Sequence, residues 1–427
     1  MSKKTATILI ILLILLVGGG FVGFYLYINP GGEGGGTTPG TTDRPDLFPF
    51  PSPSPSGSNG NNGNTGNQGT NGQQTQIGKL RRISDEPVAG ISFLQKESIS
   101  LIHYLERRTV PRTYEVDVAS LRKNRLASTN IPKVIYEGTW VENGNGIIMR
   151  YLKDDNMSIE SYYARLVDPK ESTSSPKTPG VGTTAETDIQ AIEGVFLPVN
   201  IVSLSPSPKR DKIFYISTGL NGSVGTIANP DGTKKVQVFD SPLREWTSQW
   251  AKEDTIVLAT KASGVVTGHL YFLNTRTNSV TPIISGVLGL TGLASTDAQK
   301  ILYSGALQTG LSTSLFDIKT GQAKAFESNT LPEKCVWSAK NVQTVFCAVP
   351  KNIPVGLYPD DWYMGKIGFD DTIVMINTST GESKDVMNLS QVALQEIDAI
   401  DLSLDQQEKS LLFRNKKDLS AWVLTLE

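Results

Sequence analysis

The segment Leu204-Ser205-Pro206-Ser207-Pro208-Lys209-Arg210-Asp211-Lys212-Ile213-Phe214-Tyr215 decides how the chain is read. A short run ends at a polar, proline-containing turn, and a compact apolar strand follows. The apolar strand recurs. Copies begin near Ser98 (Ser-Ile-Ser-Leu-Ile-His-Tyr), Gly146 (Gly-Ile-Ile-Met-Arg-Tyr) and Lys212 (Lys-Ile-Phe-Tyr-Ile-Ser). Others begin near Thr255 (Thr-Ile-Val-Leu-Ala-Thr), Lys300 (Lys-Ile-Leu-Tyr-Ser), Thr344 (Thr-Val-Phe-Cys-Ala-Val) and Ser410 (Ser-Leu-Leu-Phe-Arg). The spacings are about 48, 66, 43, 45, 44 and 66 residues, and the basic period is close to the roughly 40–50 residues of a four-stranded propeller blade.

Each copy has partners. A shorter strand precedes it, as in Val202-Ser203-Leu204-Ser205-Pro206, Cys335-Val336-Trp337-Ser338 and Ile400-Asp401-Leu402-Ser403. A third strand follows and leads into a Thr/Gly/Asn turn, as in Leu270 to Asn278, Leu315 to Gly321 and Ile373 to Gly381. Asn or Asp followed by Thr-Gly is a hairpin turn, because Gly accepts the positive φ that the turn requires. A weaker fourth strand comes next, as in Lys235-Val236-Gln237-Val238-Phe239. Seven such units fill residues 78–427, so the expected fold is all-β: a seven-bladed β-propeller of four-stranded antiparallel blades. The last unit ends at Leu424-Thr425-Leu426-Glu427 with room for three strands. The segment Lys79–Ser84 belongs to no unit and is expected to supply the outer strand that closes the ring. Two units are long, with insertions around Asp168–Thr187 and Pro350–Phe369.

The repeats resemble the TolB-type and related WD-repeat-like prokaryotic propeller repeats, in which an apolar strand, Ser-Pro-Asp-Gly, two variable residues and an Ile-x-Phe/Tyr strand succeed one another. The nearest copy is Leu204 to Tyr215; Ala294-Ser295-Thr296-Asp297 before Ile301 and Leu402-Ser403-Leu404-Asp405 before Leu411 are looser. No copy keeps Ser-Pro-Asp-Gly intact. As a whole the chain looks like the membrane-anchored propeller proteins of bacteria. That resemblance implies a fold and a compartment, not an activity.

The N-terminal part has a different texture. Residues 6–28 contain no charged side chain, and at 1.5 Å per residue such a helix would be roughly 34 Å long, enough to cross a bilayer. Lys3 and Lys4 precede it and the next basic residue is Arg44, so residues 1–5 are expected to be a cytoplasmic tip and the rest extracytoplasmic. The run is longer than a signal-peptide core and lacks an A-x-A-like site, so it reads as an uncleaved single-pass anchor in the cell membrane. Gly19 and Gly23 make a G-x-x-x-G spacing, a candidate helix-packing face for a weak dimer. Residues 29–77 are Gly, Asn, Thr, Ser, Pro and Gln with almost nothing to bury, the composition of a disordered linker. Its one apolar spot is Leu47-Phe48-Pro49-Phe50.

Charge is nearly balanced, with 40 Lys+Arg against 42 Asp+Glu, so no nucleic-acid partner is expected. Cys335 and Cys347 are the only cysteines. If Trp337 faces Val345 across a hairpin, Cys335 faces Cys347 within disulfide range, and the expected compartment lets a disulfide persist. His103 and His269 are the whole histidine supply, and no G-x-S-x-G or H-E-x-x-H motif occurs; both read as structural or surface residues. No catalytic, cofactor or metal set stands out, and the chain reads as a non-enzyme without cofactor.

Asp360, Asp361, Asp370 and Asp371 bracket the second insertion, but their spacing fits no calcium loop and reads as a solvated acidic loop. Tyr358, Trp362 and Tyr363 lie among them. With Asp360 and Asp361 they form the candidate binding loop, with packing onto their own blade as the plainer alternative. Trp140, Trp250 and Trp337 sit on or near first strands and should be core. The functional expectation is a membrane-tethered module that binds or scaffolds an envelope protein or a surface polymer. The alternatives are a glycan hydrolase or lyase with channel carboxylates, and a passive surface-layer or spacer component.

Overall fold

The computed structural model describes residues 78–128, 133–167 and 191–426. The expected anchor 6–28 with Gly19 and Gly23, the linker 29–77 and the insertion around 168–187 lie outside the described residues. Among the described residues no helix is long and apolar enough to cross a membrane.

The described chain opens with β1 (Leu80–Arg82). Blade 1 is β2 (Val88–Lys96), β3 (Ile99–Glu106), β4 (Arg112–Asp117) and β5 (Lys123–Ser128). Blade 2 is β6 (Glu137–Val141), β7 (Gly146–Leu152), β8 (Ile159–Val167) and β9 (Ala191–Phe196). Blade 3 is β10 (Ile201–Pro206), β11 (Ile213–Gly219), β12 (Gly222–Ala228) and β13 (Val236–Ser241). Blade 4 is β14 (Trp246–Lys252), β15 (Thr255–Thr260), β16 (Thr267–Asn274) and β17 (Val280–Leu288). Blade 5 is β18 (Thr291–Ala294), β19 (Lys300–Leu307), β20 (Gly310–Asp317) and β21 (Gln322–Ala325). Blade 6 is β22 (Cys335–Trp337), β23 (Thr344–Pro350), β24 (Asp371–Asn377) and β25 (Ser383–Asn388). Blade 7 is β26 (Ala399–Leu404), β27 (Ser410–Asn415) and β28 (Ala421–Thr425), with β1 as its outer strand.

The fold is therefore an all-β, seven-bladed propeller of four-stranded antiparallel blades. The seven apolar runs picked out by their spacing are the second strands, β3 through β27. Each is sandwiched between neighbouring blades, which is why it is continuously apolar where a one-sided strand would alternate. In β27, for example, Leu411, Leu412 and Phe413 are fully buried: Leu411 and Phe413 face blade 6, and Leu412 faces blade 1. The core is thus a ring of interfaces between blades. Side chains also latch the first strands together across blades. Gln249 donates to Ala294 O at 3.0 Å and accepts from Ala294 N at 2.8 Å, and Trp337 Nε1 donates to Leu293 O at 3.3 Å.

The ring closes by pairing its two ends. Leu80 opposes Leu424, Arg81 opposes Val423 and Arg82 opposes Trp422. Ile83 N donates to Ala421 O at 2.9 Å, and Ser84 Oγ accepts from Ala421 N at 2.8 Å.

This topology gives the propeller two unlike ends. Turns between first and second strands, and between third and fourth, emerge at one end. They are built on Asn and Asp side chains that bond the backbone ahead of them: Asp117 accepts from Ala119 N, Asn274 from Arg276 N, and Asn377 from Ser379 N. The turns between second and third strands emerge at the other end, with the connections between blades and the Pro350–Phe369 insertion. The outer strand β1 runs towards this insertion end, so Gly78 lies at the polar-turn end.

Candidate functional site

The first strands surround a central cavity of about 930 Å³. Its wall mixes apolar side chains of β10, β14 and β18 with Glu137, Arg150, Glu245, Lys261, Glu333, Tyr363 and Asp401. Most of these charges are matched: Glu137 pairs with Arg150, Glu245 with Lys261 and Asp401 with Arg414. Glu333 stands apart. One of its oxygens accepts from the Tyr363 hydroxyl, and the Thr291 hydroxyl and its own backbone N–H lie beside the carboxyl. Burial pushes its carboxyl above the usual range, although the Tyr363 bond pulls the other way.

Beside this wall lies a buried charge network. Lys334 Nζ donates to Asp371 Oδ2 at 2.7 Å, to Asp398 Oδ1, and to Ala399 O at 3.0 Å. Asp398 Oδ2 accepts from Trp362 Nε1 at 2.9 Å and Phe369 N at 3.1 Å, and Lys416 Nζ lies 5.0 Å from the Trp362 ring centre. Lys334, Asp371, Asp398 and Lys416 are all buried. Burial would depress the Lys334 ammonium, but Asp371 and Asp398 outweigh it and hold it above the ordinary lysine range. Burial pushes Asp371 up to about 6 against the pull of Lys334. Among the described residues no carboxylate lies at bonding distance of Lys416, and burial brings it down to about 8. The network ties the insertion to blades 6 and 7.

The candidate binding loop is built on this network. Its segment Asp360–Tyr363 is a short helix. Tyr358 and Trp362 are buried and stack on Phe369 at 6.0 and 6.2 Å between centroids. Tyr363 reaches the central cavity. The four aspartates are not one solvated acidic loop. Asp371 is fully buried on Lys334, Asp370 pairs with Lys351 at 2.7 Å, and Asp361 pairs with Lys366 at 3.2 Å. Asp360 accepts from Gly264 N at 2.6 Å. The partners of Asp360 and Asp371, Gly264 and Lys334, come from outside the insertion, which local spacing does not reveal.

The insertion exposes large apolar side chains beside Lys351, Asn352 and Lys366. Val355, Leu357 and Met364 are exposed, as are Val265 and Val266 after β15, Leu288 closing β17 and Leu307 closing β19. These loops touch. Gly289 N donates to Ser263 O at 3.0 Å, and a Cβ at Gly264 or Gly289 would lie 2.6 Å from Tyr358 O. Glycine is needed at both positions for that approach. The topology places all seven side chains at the insertion end, on blades 4, 5 and 6.

Cys335 and Cys347 oppose each other in β22 and β23, with Trp337 opposite Val345, and form a disulfide with Cα atoms 4.1 Å apart. Trp140, Trp250 and Trp337 are buried. His103 is buried against Trp140, and its ring nitrogens contact Gly144 O at 3.2 Å and Glu115 at 3.1 Å. Among the described residues no group of three or more His, Cys, Asp or Glu side chains is placed to hold a metal ion. Sequence reasoning missed Lys334, Asp398, Lys416 and Glu333. The one local signal was a charged pair, Glu333-Lys334, set against an apolar first strand.

No protein-family model matches the chain, and no curated protein matches it. Among solved structures it is similar to TolB from Acinetobacter baumannii, with 12% identity, 67% of this chain and 63% of that one covered, and a TM-score of 0.41. The chain thus spans less than two thirds of that TolB. It is also similar to oligogalacturonate lyase from Vibrio parahaemolyticus, with 10% identity, coverage of 83% and 95%, and a TM-score of 0.45. The β-propeller domain of the Trilobed protease from Pyrococcus furiosus aligns with 11% identity, coverage of 80% and 98%, and a TM-score of 0.48.

Proposed function

We propose that this chain is a membrane-tethered, extracytoplasmic binding module that docks a protein partner of the cell envelope on the insertion end of its propeller. The observation that carries this reading is the apolar surface of Val265, Val266, Leu288, Leu307, Val355, Leu357 and Met364. A cluster of exposed apolar side chains costs solubility and is the ordinary mark of an interaction site. Three cations that border it are paired with carboxylates: Lys261 with Glu245, Lys351 with Asp370 and Lys366 with Asp361. Adsorption to an anionic lipid surface draws on unpaired basic charge, so a protein partner fits better. The Cys335–Cys347 disulfide suits an oxidising compartment. Tethering would raise the effective concentration towards membrane-bound partners. The test is to replace Val265 and Met364 by Asp. The variant should lose the partner and keep the wild-type melting curve; retained capture would overturn the reading.

One observation favours an enzymatic reading, a glycan hydrolase or lyase. The Glu333 carboxyl, raised by burial, shares the central cavity with Glu137 and Asp401. Turnover of a glycan panel that disappears in Glu333→Gln would support it, and turnover unchanged in that variant would remove it.

A further inference from the structure

Two smaller cavities, about 390 and 220 Å³, meet at Arg210, which lines both; the larger shares Glu137, Pro206 and Asp401 with the central cavity. Arg210 sits in the turn between β10 and β11 with φ +57°, held by Arg210 N donating to Ser207 O at 2.8 Å and Arg210 O accepting from Glu142 N at 2.8 Å. From blade 3 its guanidinium reaches blade 1, where Nη1 donates to Ser92 Oγ. The larger cavity holds two other arginine–carboxylate contacts in or beside its wall: Arg150 pairs with Glu137, and Arg414 with Asp401. Arg210 makes no ion pair among the described residues, and burial lowers its pKa with no carboxylate opposing it. The smaller cavity is lined by Gln95, Ser100, Ser403 and Gln406 as well as Arg210, without any carboxylate. The hydroxyls of Ser100 and Ser403 are buried and have no partner. A half-buried guanidinium, two orphaned hydroxyls and two carboxamides make a wall of donors awaiting an acceptor.

We propose that Arg210 anchors the carboxylate of a small ligand at this mouth of the central channel. A planar guanidinium fork matches a carboxylate. One unpaired positive charge balances a monoanion; a phosphate dianion would leave negative charge beside Glu137 and Asp401. The body of the ligand then lies in the 390 Å³ cavity, where Glu137, Asp401 and Arg414 offer both donors and acceptors. Arg210 sits in a turn at the end opposite the apolar surface, so its part in binding is tested separately from the proposed docking.

The test uses the full chain with glucuronate, acetate, glucose and inorganic phosphate as probes, at matched ionic strength. Ligand-observed NMR should detect saturable binding of glucuronate and acetate but not of glucose. Phosphate should bind more weakly than either. Arg210→Gln should weaken binding at least tenfold, with Arg210→Lys in between. In parallel, phenylglyoxal should modify Arg210 of the wild type faster than Arg150 or Arg414, and glucuronate should protect it. That reading needs no variant to fold. No saturable binding of either carboxylate, binding unchanged in a folded Arg210→Gln, or a phosphate preference would overturn the proposal.

Discussion

Lys334 Nζ lies 2.7 Å from Asp371 Oδ2, and neither side chain is exposed to solvent. Asp398 completes the group from blade 7. Removing the lysine leaves two buried carboxylates facing each other without a cation. Lys334→Met should therefore cost about 3–5 kcal/mol, and adding Asp371→Asn should restore part of that. Urea titration of the two variants measures both; a loss below about 1 kcal/mol for the single variant would count against the network as a structural clamp.

The same network gives opposite pH signatures at its two ends. Asp371 is raised by burial to about 6, above its unfolded value. Its contribution to stability is present at acid pH and is lost as pH rises through about 6. Lys416 is lowered by burial to about 8. Its contribution is present above the unfolded lysine value and is lost as pH falls through about 8. Relative to Lys416→Met, the wild type should gain stability between pH ~8 and ~10.5, by up to about 3 kcal/mol. Denaturation curves of both proteins across that range report the slope, and parallel curves would refute the assignment.

Ring closure depends on six residues. Deleting Lys79–Ser84 uncovers the edge of β28 and removes Leu80 and Ile83, both nearly buried. The loss should be about 5 kcal/mol, with aggregation through the freed edge. A melting temperature equal to the wild type would show that the ring holds without the strand.

The Cys335–Cys347 disulfide closes a short loop between β22 and β23. Intact-mass analysis without reductant should find no alkylatable thiol. Cys335→Ala with Cys347→Ala should cost about 3 kcal/mol. Two free thiols in unreduced protein, or a variant as stable as the wild type, would contradict the bridge or its role.

The fold was legible in the sequence because a propeller writes each blade into consecutive residues. The run Ile213-Phe214-Tyr215 and its six relatives are second strands, and Thr320-Gly321 and Thr380-Gly381 are turns, for reasons confined to a few positions. The cysteine pairing followed from hairpin register. The charge network was not legible, because Lys334, Asp371, Asp398 and Lys416 come from four separate segments whose meeting depends on the blade 6–7 interface. Asp371 illustrates this: beside Asp370 it reads as a surface carboxylate, yet it is the first residue of β24 and points to a lysine 37 positions earlier. The apolar surface was hidden for a similar reason. Val265 and Met364 in loops, and Leu307 at the end of β19, read as ordinary single residues until the ring places them at one end.

The proposed docking is tested most directly by site-specific photo-crosslinking in native cells, from Val355 or Met364 at the insertion end and from Thr277 or Lys319 at the polar-turn end. The account predicts one discrete protein adduct from the first pair, absent from the second, and lost when Val265 is replaced by Asp. Adducts formed equally from both ends, adducts only of a second copy of this chain, or none from Val355 and Met364 would contradict it.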